Sequence, residues 1–266
     1  MLTEAQITEA AEALHRAEKT RVQTGLLSQR FPDADMDDAY RIQEAFVGRK
    51  MAEGRRVIGW KIGLTSRAMQ QALNITIPDS GVLLDDMLFA NGAEIPAGRF
   101  IQPRIEAEIA FVMKAPLSGT VSRDAVLEAT DYVTPALEIL DTRVFRSDPA
   151  TGRARTIVDT ISDNAANAGI VLGAQQHPPD RVDLRWVGAI VSRDGTVEET
   201  GLGAGVLNDP VMGIVWLAER MGRYGQRIEA GQVILAGSFI RPVECPMGSV
   251  IDADFGPFGR VGCTFA

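Results

Sequence analysis

The sequence predicts an α+β fold in which an N-terminal helical segment precedes a mixed, β-rich domain, and three observations lead there. Apolar residues recur every three to four positions through about the first 55 residues. From Arg56 onward the pattern changes to short alternating segments separated by Gly, Pro and Asp. Only three helical stretches interrupt those segments, so the chain lacks the regular strand–helix alternation of a βαβ array. Residues 1–55 are therefore assigned to the helical segment and 56–266 to the β-rich domain. A chain of 266 residues can bury one sizeable core.

The first helix is expected over 3–28, with Ile7, Ala11, Leu14 and Ala17 on one face and Thr3 and Gln6 forming a cap. A second, over 35–53, repeats the spacing through Ala39, Ile42, Ala45 and Phe46. Strands are expected at 57–64, 104–113, 132–141, 168–173, 184–194, 232–239, 250–254 and 260–265. Helices are expected at 66–73, 123–129 and 211–223. Two stretches read as long loops, 74–99 and 142–158, the second holding Arg143, Arg146, Arg153 and Arg155. Long loops in a compact domain are often functional.

Hydrophobic residues make up 45% and charged ones 23%, the balance of an ordinary folded protein. The net charge of −8 argues against a nucleic-acid binder, which needs a basic face to displace counterions. No apolar run approaches the ~20 residues that span a bilayer, and the opening segment reads as an amphipathic helix, so no membrane association and a cytoplasmic location are expected. Cys245 and Cys263 lack C-x-x-C spacing and read as reduced core thiols. His15 and His177 fall in no chemical cluster and are expected at the surface, which leaves acid–base work to carboxylates, lysine or a metal.

In RIEAEIAF, strand alternation turns Glu106 and Glu108 to one face, about 7 Å apart at the backbone, where their side chains can reach one hard cation. Alone, such a pair is more often the mark of a solvated face. Glu138 sits among Ala136, Leu137, Ile139 and Leu140, where a carboxylate needs a partner: an arginine, or a cation shared with the other two. Lys61 shares a strand face with Gly59 and Gly63, which leave room beside the ammonium for a ligand or for backbone. Asp79 in IPDSG and Asp163 and Asn164 in TISDNAANAG suit either a turn or a ligand-contacting loop. Ser162 has no adjacent histidine and no G-x-S-x-G, so a hydrolase triad is unsupported. GLGAGV has Val206 where a dinucleotide fingerprint needs its third Gly.

GWKIGLTS, PDSGVLLDDM, QPRIEAEIAF, PALEILDTR, DTISDNAANAG and AGQVILAGS together resemble the hydratase/decarboxylase branch of the fumarylacetoacetate hydrolase superfamily, over almost the whole chain. The resemblance implies a homo-oligomeric, β-rich α+β enzyme acting on a small 2-oxo or 2-hydroxy-dienoic acid. It implies Glu106, Glu108 and Glu138 as ligands of Mg²⁺ or Mn²⁺, Lys61 and Asp79 as proton-transfer residues, and Ser162 in the substrate pocket. Three activities compete: hydration of 2-hydroxypenta-2,4-dienoate, decarboxylation of 4-oxalocrotonate, and hydration of 2-oxohept-4-ene-1,7-dioate in aromatic catabolism. The long TRVFRSDPATGRARTIVDT loop resembles that of the dioate hydratases, and its arginines suit a distal carboxylate. The alternative of another class is a non-catalytic protein that binds a cation or an organic acid.

Overall fold

The computed structural model describes residues 1–66, 70 and 77–266. Helix α1 (Glu4–Thr20) opens with a capping box in which Thr3 and Gln6 satisfy each other's backbone N–H groups. It buries Ile7, Ala10, Ala11 and Leu14 against Ile42 and Phe46 of α3 (Met36–Ala52), which Asp35 caps. Between them lies the four-residue α2 (Leu27–Arg30).

The expected single helix over 3–28 is thus too long. Arg21 adopts φ 59°, a left-handed conformation that ends α1, and Thr24 pairs instead with the backbone of Arg143 and Phe145.

The larger sheet is built on β1 (Val57–Gly63), β2 (Asp79–Leu84), β3 (Leu88–Phe89), β5 (Arg104–Met113), β6 (Thr130–Leu140), β7 (Asn167–Leu172) and β10 (Val233–Leu235). Its order is β2-β1-β10-β5-β6-β7-β3, with β11 (Val243–Glu244) also paired to β5. The smaller runs β4-β13-β12-β8-β9, from β4 (Glu94–Ile95), β8 (Gly188–Arg193), β9 (Thr196–Leu202), β12 (Val250–Asp254) and β13 (Arg260–Phe265).

Alternation along β5 sorts the two faces. Ile105, Ala107, Ile109 and Phe111 enter a core shared with Ile251, Ala253, Val261 and Cys263 of the second sheet and with Ile214 and Leu217 of an amphipathic helix. That helix, Val211–Arg223, is the last of three that follow α3 in the described chain: α4 (Arg123–Ala129), α5 (Ile157–Ser162) and α6. The other face of β5 carries Glu106 and Glu108. There α5 is held over the sheet by α3, through Ala39, Val158 and Ile161, and by Gln43, whose side-chain amide donates to Ser80 O and Ile161 O, both at 2.9 Å.

Several expectations change. The 74–99 stretch is not one irregular loop: its described part contains β2, β3 and β4, because PDSGVLL is fully buried beside β1 and needs ladder hydrogen bonds there. The helix expected at 66–73 lies almost wholly outside the described residues. Strand β9 was missed because TVEETGL is polar and largely exposed. His177 is half-buried, stacked at 4.7 Å on Phe258, with Nε2 2.9 Å from the Phe258 carbonyl. His15 lies 3.0 Å from a Glu53 carboxylate oxygen. Cys245 and Cys263 are buried and free. Among the described residues no helix is long and apolar enough to cross a membrane.

Candidate functional site

Strands β5 and β6 pair antiparallel with Glu106 directly opposite Glu138. Like charges in that register repel, and the strand pair tolerates them only with a compensating charge. Glu108, one pleat along, completes a cluster in which one oxygen from each carboxylate lies within 4.8 Å of the others. Glu138 and Glu108 are 0% and 1% exposed, so solvent screening is weak. Burial, and then the Glu138 charge, pushes Glu106 up to about 7 and Glu108 well above the usual carboxylate range.

Lys61 supplies one positive charge. Its Nζ lies 3.3 Å from Glu138 Oε1 and donates to Ala165 O at 3.2 Å. Burial works to strip its proton, but Glu138, Asp79, Glu106 and Glu108 together outweigh that and hold the ammonium above its ordinary range. The partner of Glu138 is therefore a lysine where the sequence left an arginine open. Lys61 itself is 3% exposed, so its charge is desolvated along with those of the carboxylates.

One ammonium does not balance three carboxylates. Glu108 Oε2 accepts from Gly237 N at 2.8 Å and Glu138 Oε1 from Asn167 Nδ2 at 2.8 Å, yet Glu108 Oε1 and Glu138 Oε2 are buried without a hydrogen-bond partner among the described residues. Buried orphan oxygens are rare in native proteins. An all-oxygen donor set with unspent acceptor capacity fits a hard divalent cation.

Asp79 opens β2 opposite Gly63 and is 1% exposed, so it is no surface turn residue. Burial raises its pKa, opposed by Lys61 and reinforced by Glu138, and its Oδ1 has no hydrogen-bond partner among the described residues. Gly63 is obligatory between the two groups: a Cβ there would lie 2.3 Å from Asp79 Oδ1 and 3.1 Å from Lys61 Nζ. The glycine keeps open the space that Asp79 and Lys61 share.

The cover of the site is an unusual turn. Asn164, Ala165 and Ala166 have φ of 53°, 52° and 60°, three successive left-handed residues, none of them glycine. Asn164 anchors the turn, accepting from Val82 N at 2.7 Å and donating to Val82 O at 2.9 Å, so the Ala165 carbonyl reaches Lys61. Ser162 ends α5 just before it, fully buried, with Oγ unpartnered and no hydrogen bond to the carboxylates. Asn167, which orients Glu138, was not singled out from sequence; its only signal was a polar residue at the start of an apolar strand.

Arg143 and Asp163 form the frame behind this turn. Arg143 donates from Nε to Asp163 Oδ1, from Nη2 to Asp163 O at 2.6 Å and from Nη1 to Asn167 O at 3.0 Å. Burial opposes its charge, but Asp163, Glu18 and Asp141 hold it as a cation. Arg143→Met is expected to lower unfolding stability by about 3–5 kcal/mol by leaving Asp163 buried and unpaired, measured by urea denaturation. A loss under about 1 kcal/mol would show the pair to be dispensable.

The mixed sheet, backed by a second sheet and bearing the three carboxylates beside the buried Lys61, has the fold of the fumarylacetoacetate hydrolase superfamily. Among solved structures, the 4-oxalocrotonate decarboxylase of Pseudomonas putida G7, complexed with magnesium and adipate, superposes with a TM-score of 0.94 at 31% identity, over 100% of this chain and 99% of that one. The 2-oxo-hept-4-ene-1,7-dioate hydratase of Escherichia coli is 50% identical over 256 residues, 96% of each chain. The 2-keto-4-pentenoate hydratase of Paraburkholderia xenovorans (strain LB400) is 40% identical over 265 residues, 99% of this chain and 96% of that one. No family model matches the chain. With these relatives over its full length, the chain belongs to the hydratase/decarboxylase branch of that superfamily and is a lyase.

Proposed function

We propose that this protein hydrates 2-oxohept-4-ene-1,7-dioate to 4-hydroxy-2-oxoheptanedioate with a divalent cation, Mg²⁺ or Mn²⁺, held by Glu106, Glu108 and Glu138. The observation that carries this reading is the convergence of those three carboxylates within 4.8 Å beside the buried Lys61. The identity to the hydratase of Escherichia coli supports the choice of substrate.

When bound, the cation supplies Lewis-acid stabilisation of the negative charge that develops on the C2 oxygen of a 2-oxo acid. The protein's own residues handle protons and water. The 2-hydroxy-2,4-dienoate tautomer takes a proton at C5 as its C2 hydroxyl gives one up, leaving a conjugated 2-oxo-3-enoate; the hydroxyl of water then joins C4 and a proton goes to C3. Lys61, kept as an ammonium by its acidic neighbours, is the proton donor. Asp79, its Oδ1 unengaged and its basicity raised by burial, is the acceptor for the proton that water gives up. Gly63 leaves the passage between them. Ser162, buried at the end of α5 with a free hydroxyl, lines the substrate side. Self-association is part of the same reading: Ile190, Val197, Leu202 and Val250 are exposed on the outward face of the smaller sheet and suit contact with another copy of the chain.

The second reading is decarboxylation, favoured by the near-complete superposition on 4-oxalocrotonate decarboxylase. Incubation with Mg²⁺ and each of the three candidate dienoates, read by product mass, separates them. Gain of one water with preference for the seven-carbon dioate is the expected result. Loss of carbon dioxide would replace hydratase by decarboxylase, and no turnover of any of the three would remove both.

A further inference from the structure

Three of the four arginines in the 142–158 segment are either paired or solvated. Arg143 is locked on Asp163, Arg146 pairs with Glu244 and donates to Gln102, and Arg153 stands exposed in solvent. Arg155 differs. Its Nη1 is buried and has no hydrogen-bond partner, and no carboxylate lies within ion-pair distance of it among the described residues. Arg155 as a whole is half-buried, but a guanidinium nitrogen buried without an acceptor loses its hydration for nothing, unless an anion arrives to restore it.

The position is also a built one. The backbone N–H of Arg155 donates to Arg146 O at 3.0 Å, beside the Ser147–Ala154 bridge, and the next residue, Thr156, forms the N-terminal capping box of α5. The Arg146–Glu244 pair ties the same hairpin to β11, so Arg155 is held between two anchored elements. Asp163 and Asp79 favour its charge, and Arg104 and Arg146 oppose it. Arg104 is half-buried, lacks an ion pair among the described residues, and stands two residues before Glu106 on the same face of β5, about 7 Å along the strand. Arg155 thus stands at the start of α5, the helix packed over the carboxylate-bearing face of the sheet, and Arg104 stands on that face beside Glu106.

We propose that Arg155, assisted by Arg104, receives the carboxylate at the far end of the substrate and makes the site selective for dioic over monocarboxylic 2-oxo-enoates. This inference rests on the reading that the C1 end lies at the carboxylate triad. With that end taken, the one anionic group left on the substrate is the distal carboxylate, and a guanidinium meets it through two parallel hydrogen bonds. A monoacid leaves Arg155 as unpaired as it is in the free protein, so the discrimination comes from satisfying a desolvated cation and not from added apolar contact.

The test compares wild type, Arg155→Met and Arg155→Lys on two substrates, 2-oxohept-4-ene-1,7-dioate and 2-hydroxypenta-2,4-dienoate, with Mg²⁺ present. Calorimetric Kd values for the saturated analogues 2-oxoheptanedioate and 2-oxohexanoate are measured in parallel. In Arg155→Met the dioate-to-monoacid ratio of kcat/KM is expected to fall by about 100-fold, the worth of a charge-assisted hydrogen-bond pair, chiefly through KM. The Kd ratio of the analogues should shift the same way, and Arg155→Lys should restore part of it. Equal losses on both acids, or an unchanged ratio in both variants, would overturn the proposal. If wild type hydrates neither acid, the hydratase reading fails, and the Kd ratio still decides for or against Arg155.

Discussion

Glu108→Gln is expected to reduce metal-dependent turnover by on the order of 10³-fold, the scale of removing a preorganised group that stabilises transition-state charge. The substitution nearly preserves shape: the amide oxygen can still accept from Gly237 N, the bond that Glu108 Oε2 makes at 2.8 Å. The change removes one charge from a buried cluster in which Glu108, Glu106 and Glu138 repel one another. Two measurements should therefore separate. Added Mg²⁺ should raise the Tm of wild type, because a ligand that binds only the folded state stabilises it. In Glu108→Gln that rise should be lost, while the metal-free Tm stays at or above the wild-type value, since a repulsive charge has gone. Full turnover with a normal Mg²⁺-dependent Tm would remove Glu108 from the site.

For Lys61→Met the same electrostatics give the opposite sign for metal and the same sign for rate. Among the described residues Lys61 is the cation paired with the triad, 3.3 Å from Glu138, and it neutralises part of the field that attracts a dication. Its removal is expected to tighten Mg²⁺ binding in calorimetry and to enlarge the Mg²⁺-induced rise in Tm. Turnover should fall by about 10²–10⁴-fold, the range for loss of a positioned proton donor. The divergence of the two readouts is the diagnostic. Weakened metal binding would make Lys61 a scaffold for Glu138, and a wild-type rate would dismiss it from the chemistry.

Much of the architecture could be read directly. The span of β5 was predicted to the residue, because ten positions of uninterrupted alternation bounded by Pro103 and Lys114 leave little freedom. The same holds for α4 and α6. Strand β2 was hidden because PDSG carries turn chemistry, and its burial comes from β1, which lies far enough away in sequence that no local pattern announces it. The early end of α1 follows from Thr24 pairing with Arg143 and Phe145, a contact across more than a hundred residues.

The same division runs through the candidate site. Strand alternation alone determined that Glu106 and Glu108 share a face, and an apolar neighbourhood alone marked Glu138 as a carboxylate in need of a partner. Both are properties of residues a few positions apart. That the partner is Lys61, that Asn167 orients Glu138, and that Gly63 holds open the space between Lys61 and Asp79 came only with the tertiary structure. Four arginines close together in one loop looked alike in sequence, and only packing set Arg155 apart, with a buried Nη1 and nothing to bond. Charge and periodicity are written locally in the chain, whereas desolvation and the pairing of buried charges depend on which distant strands the fold brings together.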